Sequence, residues 1–160
     1  MNSKSKTIAY VGIFTALYVV LGAFCKIPFI GNISLDLGYI AFAFALYNFG
    51  YAGIIVGVIG CSLESILFSA YGFSIGWAIG NLVIGTICAI LFAKNKKKLI
   101  NYIGIGIAVL IGIVVVKTAI ECQLYSIPIL VKLPKSILAF CLDTITMEFG
   151  LLLGYKLKLK

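Results

Sequence analysis

Apolar runs of about 20 residues, each closed by a short polar or Gly/Pro break, follow one another from Thr7 to Tyr155; about 20 such residues are what an α-helix needs to cross a bilayer. A water-soluble globule cannot bury them all. Of the 160 residues 62% are hydrophobic and 11% charged, against roughly 25% charged in an average soluble domain. The pattern predicts an all-α membrane protein and excludes most soluble enzyme classes. At about 25 residues per span and loop, residues 1–160 accommodate six transmembrane helices in a single domain. Function must then reside inside the bundle or at its two faces.

The breaks place the helices. The first is expected at 7–25, ended by Lys26-Ile27-Pro28 and Gly31-Asn32, and the second at 35–49. The third is expected at 52–70, after the turn Asn48-Phe49-Gly50-Tyr51, and the fourth at 75–93. The strongest polar break, Lys94-Asn95-Lys96-Lys97-Lys98, precedes a fifth helix at 100–124, a proline-containing loop at 126–134 and a sixth helix at 135–155. Met1 to Lys6 with the apolar run behind it has the form of a signal peptide, and Leu21 to Cys25 faintly that of a lipoprotein cleavage box. Phe24 stands where cleavage wants a small residue, so the segment is read as a permanent first helix.

Lysines set the orientation. One face receives Lys4, Lys6, Lys94, Lys96, Lys97, Lys98, Lys156, Lys158 and Lys160, and the other only Lys26, Lys132 and Lys135. The positive-inside rule then predicts both termini in the cytoplasm of a multi-pass cell-membrane protein. The net charge of +8 is therefore topological rather than a nucleic-acid signature, and no nucleic-acid partner is expected. The absence of His excludes imidazole chemistry and His-ligated metal sites. Five cysteines at wide spacings, with no C-x-x-C pair, read as small apolar packing residues. No metal and no cofactor is expected.

Charges inside the spans are costly, about 2.5 to 3.5 kcal/mol at a helix centre, and so normally face protein or water. At 1.5 Å rise per residue, Glu64, Lys117, Glu121 and Asp143 fall in the outer half of the membrane, Asp36 at its outer mouth and Glu148 deeper. At 100° per residue Glu64 shares a face with Gly53, Gly57 and Gly60, and Asp143 with Gly150 and Gly154, so both acids are expected to point inward. Glu148 points elsewhere, alongside Thr144 and Tyr155. Each feature has a plainer reading. Glycine stripes are ordinary packing devices, Lys117 and Glu121 at i and i+4 can be a structural ion pair, Asp36 and Lys26 can be solvated, and Trp77 and Tyr71 can be interfacial anchors. Trp77 one turn from Asn81 offers, alternatively, a stacking platform beside an amide.

The arrangement resembles the substrate-binding S components of energy-coupling factor (ECF) vitamin transporters. The resemblance rests on Thr15 to Leu21 of the first helix, on Ile33-Ser34-Leu35-Asp36-Leu37-Gly38-Tyr39-Ile40, on Phe49-Gly50-Tyr51-Ala52-Gly53 with Val56 to Gly60, and on Gly76-Trp77-Ala78-Ile79-Gly80-Asn81. Two features depart from the family pattern. Tyr51 stands where the family usually has Pro, and Ala9, Gly12 and Ala16 stand in for its Ala-x-x-x-Ala docking face. The resemblance implies a non-enzymatic, high-affinity binder of a vitamin-like small molecule. The ligand would be held in the outer half by Glu64, Trp77, Asn81, Lys117, Glu121 and Asp143, beneath a gating loop carrying Lys26, Asn32 and Asp36. It also implies partners in the bilayer: a transmembrane T coupling subunit docking on Ala9, Gly12 and Ala16, and two ATPase subunits, since the chain has no phosphate-binding loop of its own. Without Arg for a carboxylate, outer acids and aromatics favour an aromatic heterocycle bearing N–H donors or a positive charge. A small ion-coupled carrier relaying through Glu64, Asp143 and Glu148, or an assembly protein that binds no ligand, are the alternatives.

Overall fold

Helix α2, Gly38–Phe49, is apolar on every side and carries Ala41, Ala43 and Ala45, small residues that let neighbouring helices come close. In the computed structural model, which describes residues 3–25, 27–30, 33–68, 72–94, 97–157 and 159, it is the central helix. Tyr39, Phe42, Ala43, Ala45 and Leu46 are essentially inaccessible. Around it pack α1 (Ser3–Phe24), α3 (Ile54–Phe68), α4 (Ile75–Lys94) and α7 (Ile129–Lys156). The remaining long helix runs from α5 (Lys98–Val109) through a π-helical stretch, Leu110–Lys117, into α6 (Thr118–Tyr125). The outward faces carry Ile, Leu, Val and Phe side chains such as Ile13, Ile59, Ile107 and Phe149, as a lipid-facing surface requires.

Between α2 and α3 the chain doubles back. Gly50 adopts φ 58° and ψ −127°, a conformation that favours glycine, and opens a tight 3₁₀ turn, Gly50–Gly53. Beyond it Gly53 lies against the backbone of Ala45 and Leu46, and Gly57 against the Phe42 ring. In one straight helix Phe42 and Gly57 would be about 22 Å apart, so the two helices run side by side. Five helical stretches among the described residues are long and apolar enough to cross a membrane: Ser5–Phe24, Gly38–Phe68, Ile75–Lys94, Lys98–Tyr125 and Ile129–Lys156. The sequence reading counts six spans because it separates the two arms of the second stretch; α2, with 12 residues, is too short to qualify by itself.

Three expectations need correction. The segment between the first two helices is not plain loop but an antiparallel hairpin of β1 (Ile27–Ile30) and β2 (Ile33–Leu35), with a bulge between Pro28 and Ile30, so the fold is not purely α. Most of the proline-containing loop is helix: α7 begins at Ile129 and carries Pro134 inside it. Proline there removes one backbone bond, yet it comes early in a 28-residue helix held by packing along its length. The fifth helix is not uniformly α. Its π-helical stretch ends where the Thr118 hydroxyl donates back five residues to the Ile113 carbonyl at 3.0 Å, and π turns shift every following side chain around the helix.

Candidate functional site

The glycine stripe of α3 shows how a carboxylate comes to lie inside the bundle. Gly53, Gly57 and Gly60 fit against α2, Phe42 and Tyr18, so α3 lies close to its neighbours. One turn further, Glu64 is carried inward with them and is 6% exposed. It fits because α1 has Gly22 opposite: a Cβ there would stand 2.6 Å from Glu64 Oε2 and 3.2 Å from Asp36 Oδ1. Two carboxylates therefore approach one glycine. Asp36 is fixed in turn by the Gly38 N–H, which donates to its Oδ1 at 2.8 Å and ties the hairpin to the start of α2.

These groups line a cavity of about 820 Å³ at one end of the bundle, where the hairpin meets the ends of α1, α3 and α6 and the beginnings of α2, α4 and α7. Asp36, Glu64, Glu121 and Asp143 all line it, as do Lys117, Lys132 and Lys135. Trp77, Tyr18, Tyr39 and Phe73 supply aromatic surface. Its size falls within the roughly 300–1,000 Å³ of small-molecule sites, and mostly apolar walls with a few convergent polar groups are their usual lining. Most of the residues picked out in the sequence therefore meet in one place, although they come from four different helices.

On the side of α4 and α6 the charges are paired. Glu121 Oε2 accepts from Lys132 Nζ at 2.7 Å and lies 3.7 Å from Lys117 Nζ. The Lys117 ammonium sits 3.9 Å from the centroid of the Trp77 ring, a cation–π contact. Gly76 makes room for this cluster, since a Cβ there would stand 2.9 Å from Glu121 Cγ, and Gly80 lets α4 approach the π-helical stretch, its Cβ position lying 2.9 Å from the Gly112 carbonyl oxygen. Thr118, next in the chain, gives its proton to Ile113 and accepts from the Ser136 hydroxyl of α7 at 2.7 Å, which ties the two helices together.

Asn81 does not join the cavity wall. It is fully buried behind it, where its Oδ1 accepts from the Tyr39 hydroxyl at 2.8 Å and its Nδ2 donates to the Gly57 carbonyl at 3.3 Å. Its part is to hold Tyr39, which does line the cavity. Glu148 also lies away from it, half-buried on the far half of α7. Lys26 and Asn32, expected in the gating loop, and Tyr71 fall outside the described residues. Gly12 and Ala16, with Thr7, Ile8, Val11 and Thr15, line a separate apolar groove between α1 and α3, and Ala9 is exposed beside it.

The cavity also holds residues the sequence reading passed over. Tyr18, Tyr39, Cys61, Lys132 and Lys135 are the chief ones. Lys132, Lys135, Ala139 and Asp143 recur at steps of three and four residues, one face of a helix. That face becomes visible once α7 is begun at Ile129 rather than after Pro134.

Comparison with known proteins gives a consistent picture. Residues 2–156 match the family model described as ECF-type riboflavin transporter, S component. Among curated proteins, a UPF0397 protein of Streptococcus thermophilus is 32% identical over 96 residues, 59% of this chain and 51% of that protein. A UPF0397 protein of Enterococcus faecalis is 39% identical over 97 residues, again 59% and 51%. The chain thus spans about half the length of the curated relatives it matches. Among solved structures, the S component for biotin from an ECF-type ABC transporter superposes with a TM-score of 0.70 at 17% identity, covering 98% of this chain and 93% of that one. The S component of a bacterial ECF transporter gives 0.65 at 24% identity, with 96% and 95% covered. The fold is shared with both.

Proposed function

The chain belongs to the ECF-type riboflavin transporter S component family, and on that premise we propose that it is the membrane-embedded, non-enzymatic substrate-binding subunit of a vitamin importer in the cell membrane. The observation that carries this reading is the cavity of about 820 Å³, in which carboxylates, ammoniums and aromatic rings from separate helices converge. The substrate is a vitamin-like aromatic heterocycle with N–H donors or a positive charge. Glu64, Asp143 and Asp36 accept from it, and Trp77 with Tyr18 and Tyr39 packs against it. Asp36 also anchors the hairpin, so the gate and the site share one residue.

In this reading α2 and α3 each cross the membrane, giving six spans with both termini in the cytoplasm, and the cavity opens to the outside. The lysine asymmetry supports that orientation, since Lys94, Lys97 and Lys98 lie at the opposite end of the bundle from the cavity. The energy comes from a transmembrane T subunit and two ATPase subunits, with the groove beside Gly12 and Ala16 as the T-subunit docking face. Native mass spectrometry of gently purified protein tests the reading, together with uptake after co-expression with a T subunit and ATPases. A retained small molecule and uptake that requires ATP are expected. Uptake by the protein alone in ATPase-free vesicles would show a secondary carrier instead.

A further inference from the structure

Lysines gather at the end of the bundle opposite the cavity, and no acid stands among them. Lys94 closes α4, Lys97 and Lys98 stand at the start of α5, and Lys156 closes α7; all four are exposed. The five acidic residues lie elsewhere: Asp36, Glu64, Glu121 and Asp143 on the cavity wall, and Glu148 about two turns inside α7 from Tyr155. The positive-inside rule accounts for the sign of this end. It does not account for how one corner of it is built.

That corner is where the start of α5 meets the end of α7. The Lys98 ammonium lies 5.2 Å from the centroid of the Tyr155 ring, a cation–π contact. The ring is fixed in turn: its hydroxyl accepts from Asn101 Nδ2 at 2.8 Å, and the Tyr47 ring of α2 packs edge-on against it with centroids 4.7 Å apart. Lys98 is thus placed before anything binds, which cuts the ordering cost of a contact to it. Lys156, next in the chain after Tyr155, brings a second ammonium to the same corner. Apolar side chains begin directly beside these charges. Leu99 is 70% exposed, and Ile103 and Leu152, about a turn deeper, are 56% and 38% exposed. A partner that fits this corner therefore carries negative charge at one end and hydrocarbon at the other. An acidic soluble protein would meet the lysines and leave the apolar side chains uncovered.

We propose that the α5–α7 corner binds an anionic phospholipid, its headgroup phosphate meeting Lys98 and Lys156 and its acyl chains running over Leu99, Ile103 and Leu152. Basic pockets between transmembrane helices at the cytoplasmic level are suited to such headgroups. A lipid held there covers the seam between the two helices and, by binding the folded protein alone, stabilises it.

The test titrates detergent-purified protein with phosphatidylglycerol and, separately, with phosphatidylcholine, counting bound lipid by native mass spectrometry and following thermal unfolding. Phosphatidylglycerol is expected to be retained and to raise the melting temperature, and phosphatidylcholine to do neither. Lys98→Gln/Lys156→Gln should bind phosphatidylglycerol about thirtyfold more weakly, at about fivefold per juxtamembrane lysine. Lys4→Gln/Lys6→Gln removes the same charge from α1, which touches neither α5 nor α7, and should bind as wild type does. Lys98→Arg/Lys156→Arg, which keeps both cations, should retain the lipid. Lys98→Ala/Lys156→Ala replaces the Gln pair if that protein does not fold. An equal loss in the α1 variant would show attraction to the whole basic face and overturn the site, as would equal retention of phosphatidylcholine. Displacement of the lipid by inorganic phosphate at the same concentration would show a site for free phosphate and overturn the proposal as well.

Discussion

Replacing Gly22 by alanine separates the site from the fold. A Cβ at this position stands 2.6 Å from Glu64 Oε2 and 2.8 Å from Glu64 Cδ, with Asp36 Oδ1 at 3.2 Å. Distances under 3.0 Å force a shift. What must shift is the far end of a flexible side chain, which withdraws by several tenths of an ångström at little cost to the fold. The helix gains in return, because Ala is favoured over Gly in a helix interior by about 0.8–1 kcal/mol. Gly22→Ala should therefore melt within a few degrees of wild type while its Glu64 carboxylate is moved off its position in the cavity. A hydrogen bond to a charged group contributes about 1.5–3 kcal/mol, so losing one weakens the ligand roughly ten- to a hundredfold.

The control is Gly53→Ala. It is the same chemical change, but the new Cβ meets the backbone of Ala45 and Leu46 rather than a mobile carboxylate. Nothing nearby can yield, so this variant should lose stability outright. Thermal unfolding in detergent and calorimetry with the retained ligand measure both quantities on each protein. Wild-type affinity in a well-folded Gly22→Ala would refute the claim that the carboxylate over Gly22 contacts the ligand.

Asn81→Ala should lower the melting temperature, because it strips partners from the Tyr39 hydroxyl and the Gly57 carbonyl at about 1–3 kcal/mol for a buried polar group left unmade; any loss of affinity should follow from the misplaced Tyr39. Gly12→Leu or Ala16→Leu should abolish uptake in cells with ligand binding by the isolated protein nearly unchanged, since bulk in the α1–α3 groove blocks a partner helix. In a protein freed of native cysteines, single cysteines at Ser126 and Lys132 should label from outside the cell and one at Lys97 only from inside; outside labelling at Lys97 would reverse the orientation.

What could be read from the sequence was whatever depends on cost and period alone. A charge in an apolar span has to face protein, and a glycine face has to face a neighbour; those two rules placed Glu64 and Asp143 inside the bundle before any geometry was known. Asn81 shows where they stop. Its spacing from Trp77 puts it on the right helix at the right depth, yet nothing local says that Tyr39, 42 positions earlier, takes its amide. A long-range hydrogen bond decides whether a polar side chain serves the ligand or the wall behind it.

The lysines of α7 fail for a different reason. On the sequence Pro134 signals a loop because proline removes a helical hydrogen bond and clashes with the preceding turn, and in an isolated peptide that inference is sound. In a 28-residue helix packed in turn against β2, α6, the π-helical stretch, α2 and α5, that local penalty is outweighed, and the helix runs back to Ile129. With the extra turns Lys132 moves from the loop to the face of Lys135, Ala139 and Asp143, and both lysines turn from topology markers into wall of the cavity. Lys132 is then the partner that holds Glu121. The composition of the cavity wall therefore depends on a helix start hidden behind one proline.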